Sequence, residues 1–110
     1  MALKLIKRNK LRVPVAGSIK DDNGVPVKFD FTLLCKRLDQ AAIDAVIKDK
    51  DSPVRDFLHD VTEGWESVQT AEGEPIPFSQ DNLSEVLLEA GLHTLCFYAY
   101  LKEVGAVAKN

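Results

Sequence analysis

The sequence predicts an α+β fold: an N-terminal β-hairpin followed by a small bundle of about four short α-helices. The hairpin is predicted by two runs of strict apolar alternation with an Asn23-Gly24 step between them. The bundle is predicted by a change after Leu38, where apolar residues recur every three or four positions and Pro and Gly divide the pattern into short pieces.

Residues 1–10 read as a basic arm. From Leu11, one face carries Leu11, Val13, Val15, Gly17 and Ile19, and alternation resumes through Val25, Val27, Phe29, Phe31, Leu33 and Cys35. A hairpin over 11–35 follows, with Asn23-Gly24 expected to form a type I′ turn because both residues tolerate positive φ. Pro14 and Pro26 cannot donate to a ladder, so each belongs on an edge or beside the turn. The apolar odd-numbered face needs cover, from the helices downstream or from a second copy's hairpin.

Asp39 is the expected N-cap of a first helix over about 39–50, with Ala42, Ile43, Val46 and Ile47 as its stripe. Ser52-Pro53 then reads as N-cap and first helical residue of a second helix over 53–63, which presents Val54, Phe57, Leu58 and Val61 and ends at Gly64. Gly73, Pro75 and Pro77 exclude regular helix from Trp65 to Phe78, leaving a connector with a short extended piece at Ser67-Val68-Gln69. Ser79 caps a third helix over about 80–90, with the stripe Leu83, Val86, Leu87 and Ala90. Gly91 interrupts, and a fourth helix runs over about 92–104 until Gly105. One domain over 11–105 results, with 106–110 as a flexible tail.

A chain of 110 residues, 45% hydrophobic and 28% charged, has the composition of a single globular domain. Its apolar runs fall far short of the roughly 20 residues that span a bilayer, and Met1-Ala-Leu-Lys-Leu-Ile-Lys-Arg lacks a cleavage pattern. A soluble cytoplasmic protein is expected, with Cys35 and Cys96 as buried free thiols. The formal net charge is -3 but unevenly placed. Lys4, Lys7, Arg8, Lys10, Arg12 and Lys20 precede any acid, whereas Asp56 to Leu101 holds nine acids and no Lys or Arg. Such an arm suits phosphate, but the acidic body repels a duplex and no aromatic residues interleave with the cations. Self-association, arm to body, is the better alternative to nucleic acid, and a solvated, loosely ordered terminus is the other reading of the arm.

The fourth helix carries Leu92, Leu95, Cys96, Phe97, Tyr98, Tyr100, Leu101 and Val104 around nearly its whole circumference. Such a helix is either central to its bundle or uses an outer face to hold a partner. The candidate partner-binding residues are Leu87, Phe97, Tyr98, Tyr100 and Leu101. Trp65, Phe78 and Leu83 are read as structural anchors, with Phe78 stapled against Leu83 across the Ser79 cap.

No phosphate-binding glycine motif and no nucleophile elbow is present. His59 and His93 stand alone on their elements and, with two apolar-face cysteines, give no metal-ligand spacing. No catalytic, cofactor-binding or metal-binding residue is expected.

Gly64-Trp65-Glu66-Ser67-Val68, followed by Gly73-Glu74-Pro75-Ile76-Pro77-Phe78-Ser79-Gln80-Asp81-Asn82-Leu83, resembles the tail assembly chaperones of long-tailed bacteriophages and prophages. The resemblance covers about residues 11–104 and includes Phe31-Thr32-Leu33-Leu34-Cys35-Lys36-Arg37-Leu38. It implies a non-enzymatic, cofactor-free protein of the bacterial host cytoplasm that coats the tape-measure protein until tail tube protein displaces it. The tape-measure protein is the expected partner, with the tail tube protein as a second. The resemblance also implies a longer product made by a -1 frameshift, and Ala108-Lys109-Asn110 is compatible with a slippery A-AAA-AAC heptamer. Two alternatives are another small tail or virion assembly protein and a nucleic-acid module using the arm.

Overall fold

The computed structural model describes residues 2–49 and 53–106. Strands β1 (Lys10–Lys20) and β2 (Pro26–Lys36) are followed by helices α1 (Gln40–Lys48) and α2 (Val54–Val61). Strand β3 (Thr62–Glu66) and helices α3 (Gln80–Leu87) and α4 (Leu92–Val104) follow among the described residues. The protein is therefore mixed α+β, with an N-terminal hairpin followed by helices, as its alternation and helical spacing predict.

The register is the one the pattern requires. Leu11 faces Cys35, Val13 faces Leu33, and Val15 faces Phe31, so odd-numbered residues of both strands share one face. Those six side chains are buried, while the even face is largely open to solvent. Pro14 lies on β1, an edge strand, and Pro26 opens β2 beside the turn. The turn itself differs from the expected type I′. Gly24 N–H donates to the Asp21 carbonyl at 2.9 Å and Gly24 adopts φ +80, whereas Asn23 stays outside the left-handed region. Asp21 explains this, because its Oδ1 accepts from the amides of Asn23 (2.8 Å) and Val25 (3.0 Å), holding a longer loop with glycine in its last position. Val25 is consequently exposed in the loop and not part of the strand.

The helices start where their caps dictate. Asp39 Oδ1 accepts from Ala42 N–H at 2.9 Å, and Ser79 Oγ accepts from Asn82 N–H at 3.0 Å. Two boundaries and one stripe residue need correction. Pro53 is extended and occupies the position before α2 instead of its first turn, and its expected cap, Ser52, lies outside the described residues. Helix α3 stops at Leu87, three residues short of Ala90. Ile47, on the predicted α1 stripe, is exposed, whereas Ile43 is buried. The expected tail from 107 onward, including Ala108, lies outside the described residues.

The largest departure is β3. Gly64 does not end α2; the helix ends at Val61, and the next five residues pair antiparallel with β2, from Thr32↔Glu66 to Cys35↔Thr62. A bulge between Leu34 and Cys35 leaves Glu63 as the extra residue. That keeps Thr62 buried beside Cys35 while Glu63 and Glu66 turn to the outer face.

One core forms between the odd sheet face and the helices. Helix α4 crosses β1 where Gly17 allows close approach: a Cβ there would lie 3.0 Å from Leu95 Cδ2 and 3.1 Å from Phe29 Cζ. Phe57 of α2 meets Phe97 and Tyr100 of α4 edge to face, at 5.5 and 5.2 Å between ring centres. Contacts of that geometry contribute about 0.5–1.5 kcal/mol each beyond burial.

Candidate functional site

The five residues expected to bind a partner separate in space. Tyr100 is fully buried and Leu87 nearly so, which makes both core residues and corrects their placement on a partner face. Phe97 and Leu101 are half-buried against that core, because α2 covers this side of α4. Tyr98 alone is exposed, at 63%, and lines a recess with Pro14, Ala16, Leu95 and Lys102. The predicted anchors lie in or against the core. Leu83 is buried, Trp65 meets Phe78 edge to face at 5.2 Å, and Trp65 Nε1 donates to the Ile76 carbonyl at 2.8 Å.

A different surface gathers the apolar side chains that the helices leave uncovered. Toward the turn end of the hairpin, Ile19, Val27 and Phe29 form one wall of a groove of about 410 Å³. Val68, Val86 and Leu92 form the opposite wall, from the connector, α3 and α4. The lining is almost wholly apolar, with Asp21, Asp30 and Lys20 at its margins. Val27, exposed at 53%, is the most accessible wall residue of the hairpin. The helices are too short to cover all of a hairpin with eleven-residue strands, so its distal part stays open. The alternation identified Val27 and Phe29 as members of an apolar face; no local signal marks the point where the cover ends.

A row of charge pairs holds the opposite sheet face. Lys10 Nζ contacts Glu63 Oε1 at 2.8 Å, and Arg12 grips Glu66 through both guanidinium nitrogens. These contacts hold both glutamates below the usual carboxylate range. Part of the predicted attraction between basic arm and acidic body is thus satisfied within one chain. Lys4, Lys7 and Arg8 form no ion pair among the described residues.

Titratable groups elsewhere are placed for structure. Burial pushes the Cys35 thiol up to about 11, partly offset by Thr62, and pushes Cys96 up to about 12. Both are free thiols. His59 bridges two helices, donating to Gln80 Oε1 and accepting from the Ser84 hydroxyl at 3.1 Å. Among the described residues, no group of three His, Cys, Asp or Glu side chains is placed to hold a metal ion, and no helix is long and apolar enough to cross a membrane. The chain matches no protein-family model, no curated protein and no solved structure.

Proposed function

We propose that this protein is a tail assembly chaperone of a long-tailed bacteriophage or prophage. It works in the host cytoplasm without enzymatic activity or cofactor, and holds apolar segments of a tape-measure protein in the groove beneath the hairpin. The supporting observation is the groove: a solvent-open apolar trough between Val27 and Phe29 on one side and Val68, Val86 and Leu92 on the other. Its helical wall belongs to the stretch from Asp56 to Leu101 that holds nine acids and no Lys or Arg.

A long helical client exposes apolar stripes that aggregate when bare. Many small copies, each covering a short stretch and presenting acid outward, keep such a client dissolved. Each contact is small and therefore weak, so bound copies yield to polymerising tube protein, while repetition along the client supplies avidity. The nucleic-acid alternative loses support from the same structure, since Lys10 and Arg12 are already engaged by Glu63 and Glu66.

Co-expression with a tagged tape-measure protein tests the reading. Wild type is expected to co-purify and Val27→Asp to be lost from the complex with an unchanged melting temperature, because Val27 is half exposed. Tyr98→Asp is the companion variant. Loss there and not at Val27 moves the client surface to α4, and no co-purification of wild type overturns the function.

A further inference from the structure

We propose that, before a client arrives, the groove is occupied by the N-terminal arm of a second copy of this chain. This deepens the chaperone reading and rests on it for one consequence only, that the arm must leave before a client enters.

Three observations carry the proposal. The first is the arm's own surface. Leu3, Leu5 and Ile6 are 81%, 94% and 60% exposed. Once the segment pairs as a strand, Leu3 and Leu5 fall on one side and Lys4 and Ile6 on the other. Two large apolar side chains so placed match a short apolar trough.

The second is charge. Lys4, Lys7 and Arg8 accompany those leucines with no acid before Asp21. The groove offers Asp21 and Asp30 at its margin, against Lys20 in the lining and Lys28 on the strand edge that the arm meets. Its far wall lies in the stretch that contains acids and no Lys or Arg. Glu72 and Glu74 sit on the turn whose base, Gln69↔Pro75, borders the groove. Arm and groove are electrostatically complementary.

The third is an open strand edge. Asp21 N–H donates to Val25 O and Arg37 N–H to Asn9 O, so the odd-numbered positions are the hydrogen-bonded pairs of the hairpin. Even-numbered residues of β2 therefore direct their backbone groups toward the β3 side. Thr32 and Leu34 meet β3 there. Lys28 and Asp30 meet no strand among the described residues, because the chain turns away at Ser67, which adopts φ +67. An incoming extended arm continues the line of β3, pairs with Lys28 and Asp30, and lowers Leu3 and Leu5 into the groove.

The arm must come from another copy. Nine residues of strand separate Lys10 from Ile19, about 30 Å. Leu5, five residues before Lys10, reaches at most about 18 Å from it even when fully extended. Leu3, two residues further out, reaches at most about 25 Å, so neither leucine reaches the Ile19–Val27 end of its own groove and the arm cannot fill it in cis.

Sedimentation velocity on the full chain tests the exchange. Wild type is expected to associate with rising concentration. Leu3→Asp/Leu5→Asp and Val27→Lys, both altering exposed positions, are each expected to weaken association roughly ten-fold or more. An equimolar mixture of the two is expected to recover it, since one supplies an intact arm and the other an intact groove. A synthetic peptide of residues 2–9 is expected to dissociate wild type without any mutation. A wild type that stays monomeric, a mixture no better than its components, or a peptide without effect overturns the proposal. The two readings fail separately. These assays contain no client, and capture of the tape-measure protein by Leu3→Asp/Leu5→Asp reports on the groove without the arm.

Discussion

The Tyr100 hydroxyl donates to the Lys36 carbonyl at 2.8 Å, joining the last helix to the end of β2 across 64 residues of chain. The same oxygen accepts from Leu38 N–H at 3.1 Å. One side chain thereby satisfies two backbone groups at the point where the sheet hands over to the helices. This explains a tyrosine at a fully buried position, where phenylalanine alone would fill the volume.

Tyr100→Phe is expected to fold, keep its edge-to-face contact with Phe57, and lose about 1–2 kcal/mol. Urea denaturation followed by Trp65 fluorescence checks this. The midpoint falls while the slope stays unchanged. A midpoint equal to wild type would show that solvent satisfies Lys36 and Leu38 equally well.

A second prediction concerns the crossing of α4 over β1. Gly17→Val introduces atoms where a Cβ already lies 3.0 Å from Leu95 Cδ2 and 3.1 Å from Phe29 Cζ. Valine's strand propensity opposes the clash, but with two neighbours this close the strain wins, and a loss of about 1–3 kcal/mol is expected. In a Leu95→Ala background the same substitution costs less, because the nearest obstruction is gone. Measured as a double-mutant cycle, the coupling exceeds about 0.5 kcal/mol. Strict additivity would place the strain elsewhere.

Those two contacts mark where the sequence is legible and where it is not. Alternation around Asn23-Gly24 defines the hairpin and its buried face, and the Asp39 and Ser79 caps announce α1 and α3, because each signal is local. Strand β3 is invisible for the opposite reason. Thr62–Glu66 is short, contains a glycine that reads as a helix stop, and buries only Thr62; its pairing with β2 makes it a strand. The apolar circumference of α4 is likewise readable, but its division is not. Tyr100 and Cys96 face the core, Phe97 meets α2, and Tyr98 is left outside. The groove arises from a mismatch between hairpin length and helix length, and no residue pattern encodes it.

The cysteines supply a third prediction. With their thiols pushed up to about 11 and about 12 by burial, Cys35 and Cys96 carry almost no thiolate at neutral pH. Native protein is expected to react with a soluble disulfide reagent only on the timescale of opening, and both thiols to react at once in urea. Rapid labelling of either in the native state would mean that its side of the core opens freely.

Acid should expose the contribution of the outer charge pairs. Glu63 and Glu66 are held below the ordinary glutamate value of 4.5, chiefly by hydrogen bonds from Lys10 and Arg12. Between the folded and unfolded values the unfolded chain binds more protons, so stability rises with pH through that window. The contribution is complete above about pH 4.5 and lost as pH falls through the lowered folded values. A Glu63→Gln/Glu66→Gln variant cannot lose a charge it does not have. Its urea midpoint is therefore expected below that of wild type at neutral pH, and the gap is expected to close as acid protonates the wild-type pair. Salt narrows the same gap at neutral pH, since both pairs are exposed to screening. A gap that stays constant from neutral pH into acid would assign the difference to amide hydrogen bonding and not to charge, and with it remove the ion pairs as the link between β1 and β3.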